Sequence, residues 1–451
     1  MKTPNIILIN CDDLGYGDLG CYGSSVNHTP AIDRLAAEGT RFTDFYMASP
    51  VCSPSRGAML TGCYPPRIGF GTFNGKGVLF PGDNVGLNPK ETTVASMLRE
   101  KGYRTKIIGK WHCGDQPEFL PHNYGFESYY GIPYSNDMGR QAGRPDKFPP
   151  LPLVKDDRVI QQQPDQRAVT ERYVEEALEF IDNHKDENFF LYLAHMHVHL
   201  PLYAAERFVQ ESENGDYGAC VAAVDWSVEC LMHKLDELRL TDDTLIIFTS
   251  DNGSRGDNGG SNKPLRGTKQ HTWEGGMRVP CIMRWPKNIP AGRECGEIVS
   301  SIDFLPTIAA VCGAELPDAK IDGTDISPLL MGQNNATGRK NFFYYKQNNL
   351  EAVRMGDWKL HVRKGPDKAA LLYNLHTDIS EEINLYGQHP AIVAEMEELL
   401  ADCRTTLGDA AEDITGTEVR PIGRVEAGHT LTVYDQNHPY IIAMYDKSEA
   451  G

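Results

Sequence analysis

The chain has 451 residues, of which 40% are hydrophobic and 24% charged, and a formal net charge of −18. That balance belongs to a soluble globular protein and excludes a disordered or fibrous one. The acidic charge argues against binding to nucleic acid or adsorption to an anionic membrane, since both need a basic surface. An anionic substrate stays open, because a pocket can be positive on a negative protein.

No stretch approaches the roughly 20 apolar residues of a membrane span. The apolar run near the start, Ile6 to Ile9, falls short of the roughly 7–15 residues of a signal peptide. The expectation is a cytoplasmic protein, or a periplasmic or secreted one whose signal was trimmed. The 11 cysteines are odd in number and contain no Cys-x-x-Cys pair. They predict a reducing compartment, with neither a disulfide framework nor a zinc ribbon.

In chain order, residues 5–10 read as a strand buried on both faces. Residues 30–39 read as a helix, with Pro30 near its start and Gly39 past its end. Helical spacing follows over 91–101, a strand over 105–109, and an amphipathic helix over 169–185. A strand at 189–194, a helix at 221–238, a strand at 245–250 and a strand at 279–285 complete the pattern. Strands alternating with helices imply an α/β fold, a large and mostly parallel sheet sandwiched by helices. Residues 69–89 and 138–166 break the rhythm as long loops. A turn-rich segment near 327–339 marks a boundary, giving one domain over 1–335 and a smaller one over 336–451. The latter reads as short strands at 341–345, 350–355 and 358–363, a helix ending 383–403, and a further strand within 424–434. It is a small antiparallel sheet with a packed helix.

Ionisable residues gather after the strands. Asp12 and Asp13 follow the first, Lys110 and His112 the second, His195, His197 and His199 the third, and Asp251 and Asn252 the fourth. Ligands of open α/β sheets bind outside the carboxyl ends of the strands, so these groups should converge. Asp12, Asp13, Asp251 and Asn252 are hard oxygen donors of the kind calcium and magnesium choose. The three alternating histidines allow a zinc site on one face of an extended segment, but no carboxylate shares their run. One of them is expected to reach the site and the other two to pack. Cys52, placed ahead of a helix start and near Arg56, allows a thiolate nucleophile; the alternative is a buried small cysteine.

The run Cys52-Ser53-Pro54-Ser55-Arg56 followed by Leu60-Thr61-Gly62 resembles the signature of the type I sulfatases, in the alkaline-phosphatase superfamily. Residues Asn5 to Asp13 with Gly17-Asp18 resemble that family's opening metal strand, and Gly109-Lys110-Trp111-His112 its Gly-Lys-Trp-His motif. Thr249-Ser250-Asp251-Asn252-Gly253 is similar to its second metal motif, and Arg266-Gly267-Thr268-Lys269 with Trp273 to Pro280 to its lysine-bearing loop. Leu372-Tyr373-Asn374-Leu375 and Glu382-x-Asn384-Leu385 resemble its closing motif. Gly131-Ile132-Pro133-Tyr134-Ser135 resembles the arylsulfatase A and N-acetylgalactosamine-sulfatase branch, with Asn136 where that branch has His.

The resemblance implies a sulfuric ester hydrolase in which Cys52 is oxidised to formylglycine by a maturation enzyme. It implies a calcium ion on Asp12, Asp13, Asp251 and Asn252. Hydrated formylglycine would attack sulfur and then release sulfate by elimination. Lys110, Lys269 and Arg56 would balance charge, with Ser135, Lys110, His199 and Lys269 holding substrate. His199 would protonate the leaving alcohol, and His112 would serve the formylglycine side. The implied substrate is a sulfated small molecule or oligosaccharide, such as terminal N-acetylgalactosamine 4- or 6-sulfate of chondroitin or dermatan type. Alternatives are a broad arylsulfatase, a phosphonate monoester or phosphodiester hydrolase, and an inactive carbohydrate-binding protein. Arg140, Arg144 and Lys147 are candidates for meeting a second anionic group.

Overall fold

The computed structural model describes residues 3–364, 368–438 and 444–451. Its main elements are β1 (Asn5–Cys11), α1 (Pro30–Ala37), β2 (Thr40–Phe42), α2 (Cys52–Thr61), α3 (Val94–Glu100), β3 (Arg104–Gly109), β4 (Ser128–Gly131), β5 (Pro152–Lys155), β6 (Arg158–Gln162), α4 (Val169–Asn183), β7 (Phe189–Ala194), α5 (Gly215–Glu237), β8 (Thr244–Ser250), β9 (Cys281–Arg284), β10 (Arg293–Cys295), α6 (Phe304–Cys312), β11 (Asn341–Lys346), β12 (Asn349–Met355), β13 (Trp358–Lys364), β14 (Ala369–Asn374) and α7 (Pro390–Leu407).

Strands β1 to β10 form one sheet in the order β10-β2-β9-β8-β1-β7-β3-β4-β5-β6. Its centre, β8-β1-β7-β3-β4, is parallel. Successive residues of β1 serve opposite faces. Ile7 and Ile9 pack with Ile32, Tyr173 and Val221 from α1, α4 and α5. Ile6 and Leu8 pack with Leu60, Leu98 and Leu305 from α2, α3 and α6. Both faces are covered, which is why β1 is continuously apolar rather than alternating.

The remaining expectations shift in detail. Strand β9 is antiparallel to β8. Helix α3 starts at Val94 because Thr93 and Ser96 form a reciprocal cap, with Ser96 N donating to Thr93 Oγ1 at 3.1 Å. Helix α7 starts only at Pro390, since Asn384 Oδ1 instead caps a turn at Tyr386 N. The loop read over 138–166 contains the β5–β6 hairpin, hidden in sequence by its prolines. The strand expected within 424–434 is confined to Gly423–Arg424, which pair with Val85–Gly86 and so tie down the loop at 69–89.

Strands β11 to β14 form a four-stranded antiparallel sheet. Phe342, Leu350 and Leu360 pack there with Met396 and Leu400 of α7 and with Tyr46 and Tyr64. All 11 cysteines are free thiols. Among the described residues no helix is long and apolar enough to cross a membrane.

Candidate active site

The register of the central strands brings the motifs together. Cys11 pairs with Ser250, Asn10 with Ala194, and Gly109 with the same Ala194. His195 and Lys110 therefore stand one residue, and Asp12 and Asp251 two residues, beyond the level at which Asn10, Ala194 and Gly109 pair. Gly109 permits this closeness: its φ is +109°, and a Cβ there would fall 1.8 Å from the Ala194 carbonyl oxygen. Asp13 and His112, at φ 59° and 57°, are held in the left-handed region. Such strain in non-glycine residues costs on the order of 1–2 kcal/mol each and collects at functional sites.

Four side chains meet closely. Ligand atoms of Asp12, Asp13, Cys52 and His199 all lie within 4.8 Å of one another. Lys110 Nζ pairs with Asp12 and lies 2.8 Å from Ser135 Oγ. Lys269 Nζ lies 2.9 Å from Asp13 Oδ2. Asn252 Nδ2 donates to Asp13 Oδ1 at 2.8 Å, while its Oδ1 is buried without a partner among the described residues. Arg56 pairs with Asp251 at 2.7 Å and donates to the Lys110 carbonyl at 2.9 Å. Arg56 thus lies behind the carboxylates and steadies two motifs at once.

Three buried carboxylates face three buried cations here. Burial would raise the Asp12 carboxyl, but the Lys110, His199 and Arg56 charges outweigh it and hold it far below the usual range. Burial and the Asp12 charge push Asp251 up to about 6, against the pull of Arg56. The donor set and the orphaned Asn252 Oδ1 fit a hard divalent cation, which would accept that oxygen as a ligand.

Cys52 is the first residue of α2, fully buried, with Sγ 3.5 Å from Asp12 Oδ1. Burial and the Asp12 charge push its thiol up, so the thiolate suggested by the helix start is disfavoured. Desolvation here overrides the helix dipole, against the expectation of a thiolate nucleophile.

The histidines divide in role. His112 Nε2 bonds the Leu79 carbonyl at 3.0 Å, so it carries the proton and leaves Nδ1 as a buried acceptor without a partner among the described residues. The Leu79 amide in turn donates to Ser53 Oγ at 3.1 Å, which ties His112 to the start of α2. His199 Nδ1 faces two acceptors, the Leu200 carbonyl at 2.6 Å and Asn136 Oδ1 at 3.1 Å. Its proton is fixed there, and Nε2 points toward Asp13 Oδ2 at 3.9 Å. His195 bonds Ser227 at 2.9 Å, and burial pushes it down to about 3 and His197 to about 4. Neither joins the four-residue cluster.

Sequence reasoning missed Asn136 as the residue that orients His199. Its side chain is itself fixed by donation to Gln166 Oε1 at 2.9 Å and the Pro201 carbonyl at 3.1 Å. The signal was its place directly after Ser135. Of the three cationic candidates, Arg140 stacks on the Tyr434 ring and Lys147 is exposed beside Phe148.

The family model described as Sulfatase matches residues 4–314. The chain belongs to the sulfatase family. It is a sulfuric ester hydrolase with the alkaline-phosphatase-like fold of that family. A second model, N-sulphoglucosamine sulphohydrolase, C-terminal, matches residues 268–406. The sulfatase is 39% identical over 430 residues to arylsulfatase A of Homo sapiens, covering 86% of this chain and 84% of the relative. It is 40% identical over 379 residues to N-acetylgalactosamine-6-sulfatase of Canis lupus familiaris, covering 80% and 72%. Among solved structures, Ps i-CgsB in complex with k-i-k-neocarrahexaose superposes with a TM-score of 0.81 at 32% identity, covering 92% of this chain and 96% of that one.

Proposed function

We propose that this sulfatase hydrolyses a sulfate ester on a sugar, a terminal N-acetylgalactosamine 4- or 6-sulfate of chondroitin or dermatan type. It works with a calcium ion and with a formylglycine made from Cys52 by a maturation enzyme. The observation that carries the reading is that Asp12, Asp13, Cys52 and His199 meet within 4.8 Å, with Asp251 and Asn252 hydrogen-bonded to Asp13 and with Lys110, Lys269 and Arg56 balancing the charge. The carboxylate oxygens of Asp12, Asp13 and Asp251 and the amide oxygen of Asn252 support calcium over zinc. The named activity of the Canis lupus familiaris relative supports the sugar.

When bound, calcium supplies positive charge to the sulfate oxygens and formylglycine supplies a paired-hydroxyl nucleophile. The chain's own residues do the rest. A divalent cation added to a charge-balanced cluster leaves it net positive, which draws an anion into an acidic protein. Lys110 and Lys269 then have capacity to turn from the carboxylates toward the sulfate, with Ser135 steadying Lys110. His112, with Nε2–H committed to Leu79, accepts a proton at Nδ1 on the Cys52 side. His199, with Nδ1 committed to Leu200 and Asn136, delivers a proton from Nε2 to the leaving oxygen. Residues 1–335 form the catalytic unit and 336–451 the smaller one.

The test is mass spectrometry of the tryptic peptide spanning residues 42–56 from active protein. An aldehyde in place of the thiol is expected. An unmodified Cys52 in fully active protein would overturn the reading.

A further inference from the structure

Residues 444–451 cross the mouth of the site. Tyr445 anchors them: its amide donates to the Arg140 carbonyl at 3.0 Å, its carbonyl accepts from Ala142 N at 2.7 Å, and its hydroxyl donates to the Pro164 carbonyl at 2.8 Å. The Lys447 amide donates to Tyr203 Oη at 3.0 Å. Beyond it the segment is gripped by three side chains. Arg144 Nη2 donates to the Glu449 carbonyl at 3.0 Å, Arg255 Nη1 donates to the Ala450 carbonyl at 2.6 Å, and the Gly451 amide donates to Asp137 Oδ2 at 3.3 Å.

Gly451 lies directly on the His199 ring. A Cβ there would fall 1.8 Å from Cε1 and 2.0 Å from Nε2. Nε2 is the atom that faces the leaving oxygen, so residues 449–451 stand where the departing alcohol must stand. The three grips are on main-chain atoms, two carbonyls and one amide. They offer the donors and the acceptor that a polyol would use. The wall also holds unused capacity: Asp137 is 6% exposed and Gln141 fully buried, yet Asp137 Oδ1 and Gln141 Nε2 have no partner among the described residues. Buried polar atoms are normally paired, so these two leave capacity that a bound polar ligand would take up.

We propose that Asp137, Arg144 and Arg255 form the subsite for the sugar from which sulfate is removed, and that residues 449–451 fill it in the free enzyme and are displaced by that sugar. Asp137 accepts from a ring hydroxyl. The two guanidiniums donate to ring substituent oxygens, and a carboxylate or second sulfate there gains most, because charged acceptors bind arginine more strongly. An aromatic alcohol offers none of these groups. This inference rests on the sulfatase reading with His199 on the leaving-group side.

The experiment compares kcat/KM for the 4- and 6-sulfates of N-acetylgalactosamine with kcat/KM for 4-nitrophenyl sulfate, in wild type, Asp137→Asn, Arg144→Ala and Arg255→Ala. The ratio of sugar ester to aryl ester should fall at least tenfold in the arginine variants, chiefly through KM, and Arg144→Lys should recover part of it. Hydrogen exchange of residues 444–451 should quicken on adding N-acetylgalactosamine and stay unchanged on adding inorganic sulfate. An unchanged ratio in all three variants overturns the subsite, as does wild-type enzyme that turns over the aryl ester but neither sugar ester. A segment that stays equally protected with the sugar bound overturns the displacement. Enzyme inactive on every ester would instead indict the sulfatase reading, which separates the two failures.

Discussion

Replacing Glu274 by alanine removes a buried carboxylate from between two cations. The residue opens the short helical turn Glu274–Met277, just past the loop that carries Lys269. Its Oε1 accepts from Tyr344 Oη at 2.8 Å and Lys359 Nζ at 2.7 Å; its Oε2 accepts from Tyr46 Oη at 2.6 Å and pairs with Arg278 at 3.3 Å. Glu274 and Lys359 are both fully buried, so no water takes over. Stripping one partner from a buried pair costs about 3–5 kcal/mol. Two tyrosine hydroxyls losing their acceptor add about 1 kcal/mol each. Glu381, 3.0 Å from Lys359, and Asp44, 2.8 Å from Arg278, retain part of the compensation. The expected net loss is about 4 kcal/mol, a large share of the roughly 5–15 kcal/mol by which folded proteins are stable.

Guanidinium unfolding near neutral pH measures it. A loss below about 1 kcal/mol would refute the reasoning that Glu274 compensates the buried Lys359 and Arg278 charges. The acid limb gives a second reading. Burial alone would raise the Glu274 carboxyl, but the Lys359, Arg278 and Arg354 charges outweigh it and hold it at about 2 against an ordinary 4.5. A depressed folded pKa means the stabilisation is complete above 4.5 and drains as pH falls from there toward 2. Glu274→Ala should therefore show a flatter fall in stability across that window than wild type.

His199→Ala should cut turnover of a sugar sulfate by about 10²–10⁴-fold, and turnover of nitrophenyl sulfate far less, since nitrophenolate leaves without a proton; equal losses on both esters would move the acid to another residue. Asn136→Ala frees His199 Nδ1 from one of its two acceptors, so it should lower sugar-ester turnover while Asn136→Asp, which keeps the acceptor, restores part of it; steady-state kinetics on the same esters decides. Chelator-treated enzyme should lose activity and regain it with calcium but not zinc, and Asp251→Ala should abolish both metal uptake and activity, read by metal analysis; stoichiometric zinc lost on changing His195 would contradict the oxygen-only site. Cys52→Ser should be inactive while keeping the wild-type far-UV circular dichroism, because a single hydroxyl replaces the paired one.

Local signals carried much of this protein. Continuous apolar runs at β1, β7 and β8 announced strands covered on both faces, and the ionisable residues after them announced a site at the carboxyl ends of those strands. Those features sit in consecutive residues, so sequence alone determines them. Signals were weaker where long-range pairing decides the conformation. Strands β5 and β6 hold together only as a hairpin on the sheet edge, and Gly423–Arg424 form a strand only because Val85–Gly86 lie opposite. The electrostatics of the site also belong to the tertiary level. Cys52 reads as an activated thiol at a helix start until its full burial beside Asp12 reverses the sign of the shift. Asn136 reads as a missing histidine until the fold sets its amide against His199, 63 residues further along the chain. Residues 449–451 carry no motif, and only the folded chain brings them onto the His199 ring. Desolvation, charge pairing and contact across distant segments depend on what surrounds a residue in space, and in this fold that surrounding comes from strands far apart in sequence.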